Sequence, residues 1–434
     1  MKARQVLVFP AGTEIGLEIH QALQHCKEVV LHGAGQSISN HAPFVYQSYH
    51  TLPSIHDPGW IDALADLCRA LAIDYVFPAY DDVIVALARH RAEIPAAVLT
   101  ASEEVCDLTR SKSKTYKQLG AIVRVPRLYR ADEVAKDFPL FVKPDRGQGS
   151  QGAHLVRNQA ELTAVMKMIK DPIVCEFLPG EEYRVDCFSD RARGVMFCGA
   201  RVRLRVRNGI AVNARSIILD GVDAITSRIH ESLGMCGAWF FQLKRAADGE
   251  LVLLEIAPRI AGSMSTHRVQ GVNFPLLTIF EHERANLQLM TLLTKVEVDR
   301  ALHNRYRLDI HYEALYIDLD DTLLVRGEVN LDELRLVFIC NNRKIPVTLI
   351  TRHEGDLAAT LRKHRLTGLF DEVIHLNRTQ RKSDAIHRKN AIFLDDSFTE
   401  RQDVQQRCGI PTFDCSMVDA LISPHPSNMF RKKP

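Results

Sequence analysis

The 434-residue chain has no C-x-x-C pair, no apolar run of 18 residues and no excess of charge of one sign. Ten cysteines, at 26, 68, 106, 175, 187, 198, 236, 340, 408 and 415, never reach zinc-ligand spacing. A disulfide framework belongs to short secreted chains, so these read as reduced thiols inside apolar segments of a cytosolic protein. A membrane-spanning helix needs about 20 apolar residues, and none is available. The N-terminal MKARQVLVFPAGTEIG runs into charged, helical sequence without a cleavage-like site. Lys plus Arg number 55 against 53 for Asp plus Glu, which lacks the basic excess of a nucleic-acid binder. The expectation is a cytoplasmic protein with neither nucleic acid nor membrane as a partner. What remains is ordinary for folded protein: 46% apolar and 25% charged residues, with a length prior of about three domains.

Strand-like and helix-like stretches alternate through the first hundred residues. QVLVFP, EVVLHGA and IDYVFPAY read as strands, and 14–25, 60–72 and 81–92 as helices. Such alternation implies a parallel α/β sheet. Gly12 and Gly16 predict a tight turn after the first strand, although the full G-x-G-x-x-G is missing. From about 105 to 300 the pattern becomes mixed α+β, with 281–312 read as helix passing into a charged connection. ALYIDLDDTLL then opens a second α/β pattern that runs to about 422, and the proline-bearing 423–434 reads as a frayed tail. There is no internal repeat and no low-complexity segment.

The middle region carries the first group of chemistry-bearing residues. FPLFVKPDRGQGSQGAHLV places Lys143 at the end of an apolar strand, before a loop with Gly147, Gly149, Ser150 and Gly152. Glycine permits close backbone approach, so the N–H groups of such a loop can lie on phosphate oxygens, with the lysine as a point charge. No Walker A lysine follows, and alone the pattern fits a hairpin with a surface lysine equally well. IVCEFLPGEEYRVDCF adds a strand ending in Glu176, a Pro179-Gly180 turn and the pair Glu181 and Glu182, carboxylates suited to an adenine amino group or ribose hydroxyls. FFQLKRAADGELVLLEIAPRIAG reads as a hairpin presenting Gln242 and Glu255 to a hard cation, with Arg259 beside it to clamp a phosphoryl group. Lys112 starts a helix and offers a second charge.

Together these motifs resemble the ATP-grasp superfamily, closest to carbamoyl-phosphate-synthase-like members, over roughly residues 1–300. The resemblance implies an α/β domain over 1–104 preceding a two-lobed α+β ATP-grasp domain over 105–300. It implies ATP and Mg2+, with an acyl phosphate formed from a carboxylate and attacked by an amine. Lys112 and Lys143, with the loop carrying Gly149 and Ser150, would hold phosphates. Glu176, Phe177 and Leu178 would form the adenine hinge, and Glu182 would bind ribose. Gln242 and Glu255 would bind metal, and Arg259 would stabilise phosphoryl transfer. One departure stands out: the usual Glu-x-Asn of the last metal strand is Glu255-Ile256-Ala257 here, which puts a second Mg2+ in question and is read as an altered metal site. Arginines 201, 203, 205 and 207 alternate along a predicted strand and would share one face. That face is either solvated or a positive wall beside the phosphates and a carboxylate substrate, with Arg203 and Arg205 as its contributors.

The last third carries a second group. ALYIDLDDTLL ends in Asp318, Asp320 and Asp321, at the C-terminal mouth of a strand, where open α/β sheets bind ligands. Carboxylates buried beside an apolar run need a compensating cation. VTLITR ends in Thr351, TQRKSDAIHR supplies Lys382, and AIFLDDS ends in Asp395 and Asp396. This ordered set resembles the haloacid-dehalogenase-like phosphatases over about 312–422. The resemblance implies a Rossmann-like domain with Asp318 as nucleophile and Asp320 as general acid and base. Thr351 and Lys382 would hold the phosphoryl group. Mg2+ would sit on Asp318, Asp395, the backbone carbonyl of Asp320 and, as a second candidate, Asp396. Only about 28 residues separate Thr322 from Thr351, which leaves little room for a cap. The combined expectation is a bifunctional enzyme acting on a small carboxylate, an amine and a phosphomonoester, with homo-oligomerisation left open. The alternative is a nucleotide sensor whose second half is the only catalyst.

Overall fold

The computed structural model describes residues 3–130, 137–147, 149, 151–207, 209–306 and 308–422. Ser150 and the expected tail 423–434 lie outside the described residues. The chain divides into two compact units, with the break between residues 302 and 303. Among the described residues no helix is long and apolar enough to cross a membrane.

The first unit opens with a five-stranded, wholly parallel sheet. Its order is Ser48–Thr51, Val29–Gly35, Arg4–Phe9, Tyr75–Pro78, Ala97–Val98, as the alternation predicts. Thr13 caps the helix Glu14–Leu23 by accepting from the Gly16 N–H at 3.0 Å. A Cβ on Gly16 would sit 2.3 Å from the Ala11 carbonyl oxygen, so glycine lets this helix close onto the strand end.

A small antiparallel sheet follows, in the order Leu128–Tyr129, Pro172–Glu176, Leu140–Pro144, His154–Val156. A six-stranded sheet then runs Leu251–Ala257, Gly237–Arg245, Glu182–Asp190, Gly194–Arg207, Ile210–Ile217, Glu297–Asp299. One face of it packs on the helix Val222–Leu233 through Val185, Trp239 and Phe241. Toward the parallel sheet, Phe188 and Phe240 join Val6, Val8 and Phe77 in a single core. Residues 281–312 are not the expected helix. The helix Phe274–His282 ends there, Arg284 takes a left-handed φ of 57°, and among the described residues the one regular element from there to residue 313 is the edge strand Glu297–Asp299. Of this stretch, Glu297–Asp299 pairs with the sheet edge at residues 213–215.

The second unit has its own five-stranded parallel sheet, ordered Glu372–His375, Val347–Thr351, Ala314–Ile317, Ala391–Leu394, Thr412–Phe413. Its three central strands are buried at every position, the signature of a parallel sheet covered on both faces. Between Ala314–Ile317 and Val347–Thr351 stand only the hairpin of Leu324–Val325 with Glu328–Val329 and the helix Leu331–Asn342. No cap domain intervenes at that position.

Candidate functional sites

In the first unit the sheets enclose a cleft of about 500 Å³. Lys112, Lys143, Gly149, Glu176, Phe177, Leu178, Glu182, Arg203, Gln242, Glu255 and Arg259 all line it, so most of the sequence-predicted residues converge. Lys143 ends its strand buried, donating to the Tyr116 hydroxyl at 2.8 Å, and Tyr116 in turn donates to the Leu254 carbonyl at 2.8 Å. The loop after that strand is tied to the helix Lys112–Leu119: Asp145 accepts from Ser111 Oγ and from the Ser113 N–H, both at 2.6 Å. Lys112 Nζ lies 3.3 Å from the carbonyls of Asp145 and Gly147. Burial pushes the pKa of both lysines below the usual lysine range, with Arg110 lowering that of Lys112 further and Lys112 that of Lys143. Two desolvated cations over a glycine-bearing loop form a cradle for a polyanion.

Glu176 closes the far side, accepting from Arg124 Nη2 and from the Arg127 N–H at 3.3 Å each. A Cβ on Gly180 would meet Arg245 Cβ at 2.5 Å, so the turn after the hinge packs directly on the neighbouring strand. Register then sets the cleft floor. Gln242 pairs with Glu255 on one side and Arg184 on the other, and these three side chains share a face. Arg203 donates to Glu182 at 2.5 Å. The Gln242 amide orientation that satisfies both neighbours has its nitrogen donating to Glu182 Oε1 and its oxygen accepting from Arg184 Nη2, each at 3.0 Å.

That arrangement corrects the expected metal pair. The Gln242 oxygen faces a guanidinium, while the Glu255 carboxylate makes no hydrogen bond among the described residues. Ala257, where an amide ligand was expected, is packed in the core beside Phe240. The cleft therefore fits one divalent cation on Glu255 and bound phosphates, as Mg2+ is often held, and does not fit a pair.

Arg205 is also corrected. The strand register shifts between Arg203 and Arg205 and again before Val206, and such a bulge re-aims the side chains that follow. Arg205 turns to solvent and pairs with Asp299 at 2.8 Å. Arg201 instead lies fully buried against Asp186, and Arg207 is exposed. Arg205→Ala should leave the melting temperature unchanged, because its pair with Asp299 is exposed, whereas Arg203→Ala, which takes the partner from the part-buried Glu182, should lower it; thermal melts of both variants check this.

Sequence reasoning passed over Arg184, although it stands two residues from Glu182 on the same strand face. It also passed over Asp81, whose pairing with Arg259 at 2.6 Å joins residues 178 apart in sequence. Burial opposes the charge of Asp81, but Arg259, Arg110 and Arg184 outweigh it and hold its pKa low. Arg259 stacks over Phe240 at 4.9 Å and Arg184 at 5.4 Å. His267 is buried and bonded to Asp186 at 2.9 Å.

In the second unit the strand Ala314–Ile317 ends just before Asp318, and Asp321 turns the chain with a φ of 56°. Lys382 is buried between Asp318 Oδ1 at 2.7 Å and Asp395 Oδ2 at 2.6 Å. Asp318, Asp395 and Asp396 place one oxygen each within 4.8 Å of one another, the one such acidic trio among the described residues. This all-oxygen donor set fits a hard cation such as Mg2+. Burial, opposed by Lys382 and reinforced by Asp395, pushes the Asp318 carboxyl up to about 7, and burial also raises that of Asp395. Thr351 is fully buried at its strand end and accepts from the His353 N–H at 3.1 Å. Asp320 has both side-chain oxygens 2.9–3.0 Å from His353 Nδ1 and is not part of that trio. Nothing local in the sequence marks His353 as its partner.

Comparison with known proteins bears on the first unit. Residues 168–300 match the family described as ATP-grasp in the biosynthetic pathway with Ter operon, and residues 13–100 match the PylC-like N-terminal domain. The chain is 33% identical over 91 residues to a D-alanine–D-alanine ligase of Fusobacterium nucleatum, covering 20% of this chain and 31% of that protein. It thus spans under a third of that relative's length. Among solved structures, the biotin carboxylase domain of Hydrogenobacter thermophilus 2-oxoglutarate carboxylase, in complex with MgADP, ADP and bicarbonate, gives a TM-score of 0.57 at 15% identity, over 66% of this chain and 71% of that one. The L-amino acid ligase from Bacillus licheniformis gives 0.52 at 18% identity, over 64% and 73%. The first unit therefore has the ATP-grasp fold. The match to the Ter-operon ATP-grasp group is confined to residues 168–300.

Proposed function

We propose that the first unit is an ATP-dependent carboxylate–amine ligase and that the second is a phosphomonoester phosphatase of the haloacid-dehalogenase type. The observation that carries the first reading is the convergence of Lys112, Lys143, the Glu176–Leu178 hinge, Glu255 and Arg259 on one cleft. Lys112 and Lys143 hold the phosphates, and Phe177 and Leu178 give the base an apolar bed beside Glu176. A substrate carboxylate oxygen attacks the γ-phosphorus and ADP leaves; an amine then attacks the acyl carbon and phosphate departs. Arg259, oriented by Asp81, faces the charge that develops during transfer.

The buried cluster of Asp318, Lys382 and Asp395 supports the second reading. Asp318 attacks phosphorus and the alcohol leaves, taking a proton from Asp320. Water, deprotonated by Asp320, then releases phosphate from the aspartyl ester. Mg2+, held by Glu255 in one unit and by the acidic trio in the other, would supply charge compensation for phosphoryl oxygens.

The test is ATP turnover by the full-length Asp318→Asn protein with Mg2+, against pools of amino acids and carboxylic acids, resolving ADP from AMP. ADP and phosphate should appear only with a particular acid–amine pair. A second reading, nucleotide sensing without ligation, is favoured by the engagement of Gln242 with Arg184 and by Ala257 in the core. ATP binding without stimulation by any pool would select it.

A further inference from the structure

The cleft floor holds a cation of its own. Arg184 is positioned by strand register directly beside Gln242, with Glu255 one strand further on. Its Nη2 donates to the Gln242 oxygen at 3.0 Å, its guanidinium lies 5.4 Å above the Phe240 ring, and its Nε is buried without a hydrogen-bond partner among the described residues. Two acids of the same face are committed elsewhere: Glu182 accepts from Arg203 and from Gln242, and Asp186 pairs with Arg201 and His267; the third, Glu255, acts on Arg184 through its charge without a hydrogen bond. An arginine with an unused donor and no carboxylate hydrogen-bonded to it among the described residues, lining a polyanion cleft, is a preorganised charge with room for an acceptor. Burial and the neighbouring Arg201 and Arg203 lower its pKa to about 10, still far above neutrality, so the charge is permanent.

We propose that Arg184 is a specificity-determining residue of this cleft: its fixed guanidinium occupies the place of a second divalent cation. A nucleoside diphosphate is then held with a single cation on Glu255 and keeps most of its affinity when that cation is withdrawn. The inference rests on reading the cleft as a nucleotide site. It extends that reading by assigning the charge compensation to protein rather than metal, which explains the loss of both the Gln242 oxygen and an amide at Ala257 as metal ligands.

The test is calorimetric titration of the full-length protein with ADP, in excess Mg2+ and in EDTA at matched ionic strength. Wild-type affinity in EDTA should stay within about tenfold of that in Mg2+, since charge-assisted guanidinium bonds replace part of what the ion contributes. Arg184→Gln should lose at least about tenfold more affinity in EDTA than in Mg2+, and Arg184→Lys, which keeps the charge, should recover most of the difference. A wild-type loss beyond about a hundredfold in EDTA overturns the proposal and leaves the nucleotide site standing. So does an equal loss in both conditions for Arg184→Gln, which is what a merely structural residue would give. If Arg184→Gln does not fold, the wild-type comparison and Arg184→Lys decide. Absence of ADP binding in either condition overturns the nucleotide reading and this proposal with it.

Discussion

Asp318→Asn is expected to lower phosphomonoester hydrolysis by at least about a thousandfold in kcat, the scale of losing a covalent nucleophile, while raising the melting temperature in EDTA. The two effects share one cause. Asp318 and Asp395 are buried around a single ammonium, Lys382, so the cluster carries an excess negative charge in a low-dielectric setting. Burial, with Asp395 adding to it against Lys382, moves the Asp318 pKa from 3.8 to about 7. A carboxyl raised in the folded state binds its proton more tightly there than in the unfolded chain. Stability of the metal-free wild type therefore falls as pH climbs from about 4 to about 7. Asn keeps the shape and removes the charge, so the variant's melting temperature should exceed that of wild type above about pH 7 and converge with it near pH 4. Mg2+ should stabilise wild type and do so less for the variant, because it loses one oxygen ligand to the ion. Thermal melts in EDTA and in Mg2+ across that range, with phosphate release from a generic phosphomonoester, measure all three. Retained hydrolysis would sink the nucleophile assignment, and a variant that melts lower at pH 8 would sink the electrostatic account.

The parts of both sites that lay open in the sequence are those set by local rules. Lys143 and Glu176 end apolar strands before glycine-bearing turns, and Asp318, Thr351 and Asp395 lie at or just past the ends of buried parallel strands. Strand ends and short turns are encoded within a few residues. Gln242 and Glu255 belong to one hairpin, in which a register shift beside Gln242 brings Glu255 rather than Leu254 opposite it. What misled is non-local. The alternating arginines promised a uniform face, but a bulge after Arg203 and a buried carboxylate under Arg201 sent three of them to different environments. Arg184 stands two residues after Glu182, so the period-2 argument used for arginines 201–207 would have placed it on the same face as Glu182. Asp81 with Arg259, and His353 with Asp320, come together only through the tertiary fold.

The largest stability effect expected in the first unit lies just behind the cleft floor, at Asp186. Its carboxylate and Arg201 have no exposed side-chain surface, joined by bonds of 2.7 and 2.9 Å, and His267 completes the group at 2.9 Å. Burial opposes the charge of Asp186, yet Arg201 and His267 outweigh it and hold its pKa at about 2 against the usual 3.8. A depressed carboxylate stabilises the fold above its unfolded pKa. That contribution, on the order of 2 kcal/mol, is lost as pH falls from about 4 to about 2. Asp186→Asn removes the counter-charge and leaves Arg201 stranded with Nη1 already lacking a partner, at a cost of about 3–5 kcal/mol. Replacing both residues by apolar side chains of similar volume should recover most of that loss, since much of the penalty is the orphaned charge. Denaturant unfolding of the single and double variants separates these terms, and a double variant as unstable as the single would refute the charge argument. The consequence reaches the cleft, because Arg201 pairs in register with Arg184. Without Asp186 two guanidiniums face each other across adjacent strands, so the fixed cation on the cleft floor depends on the ion pair beneath it.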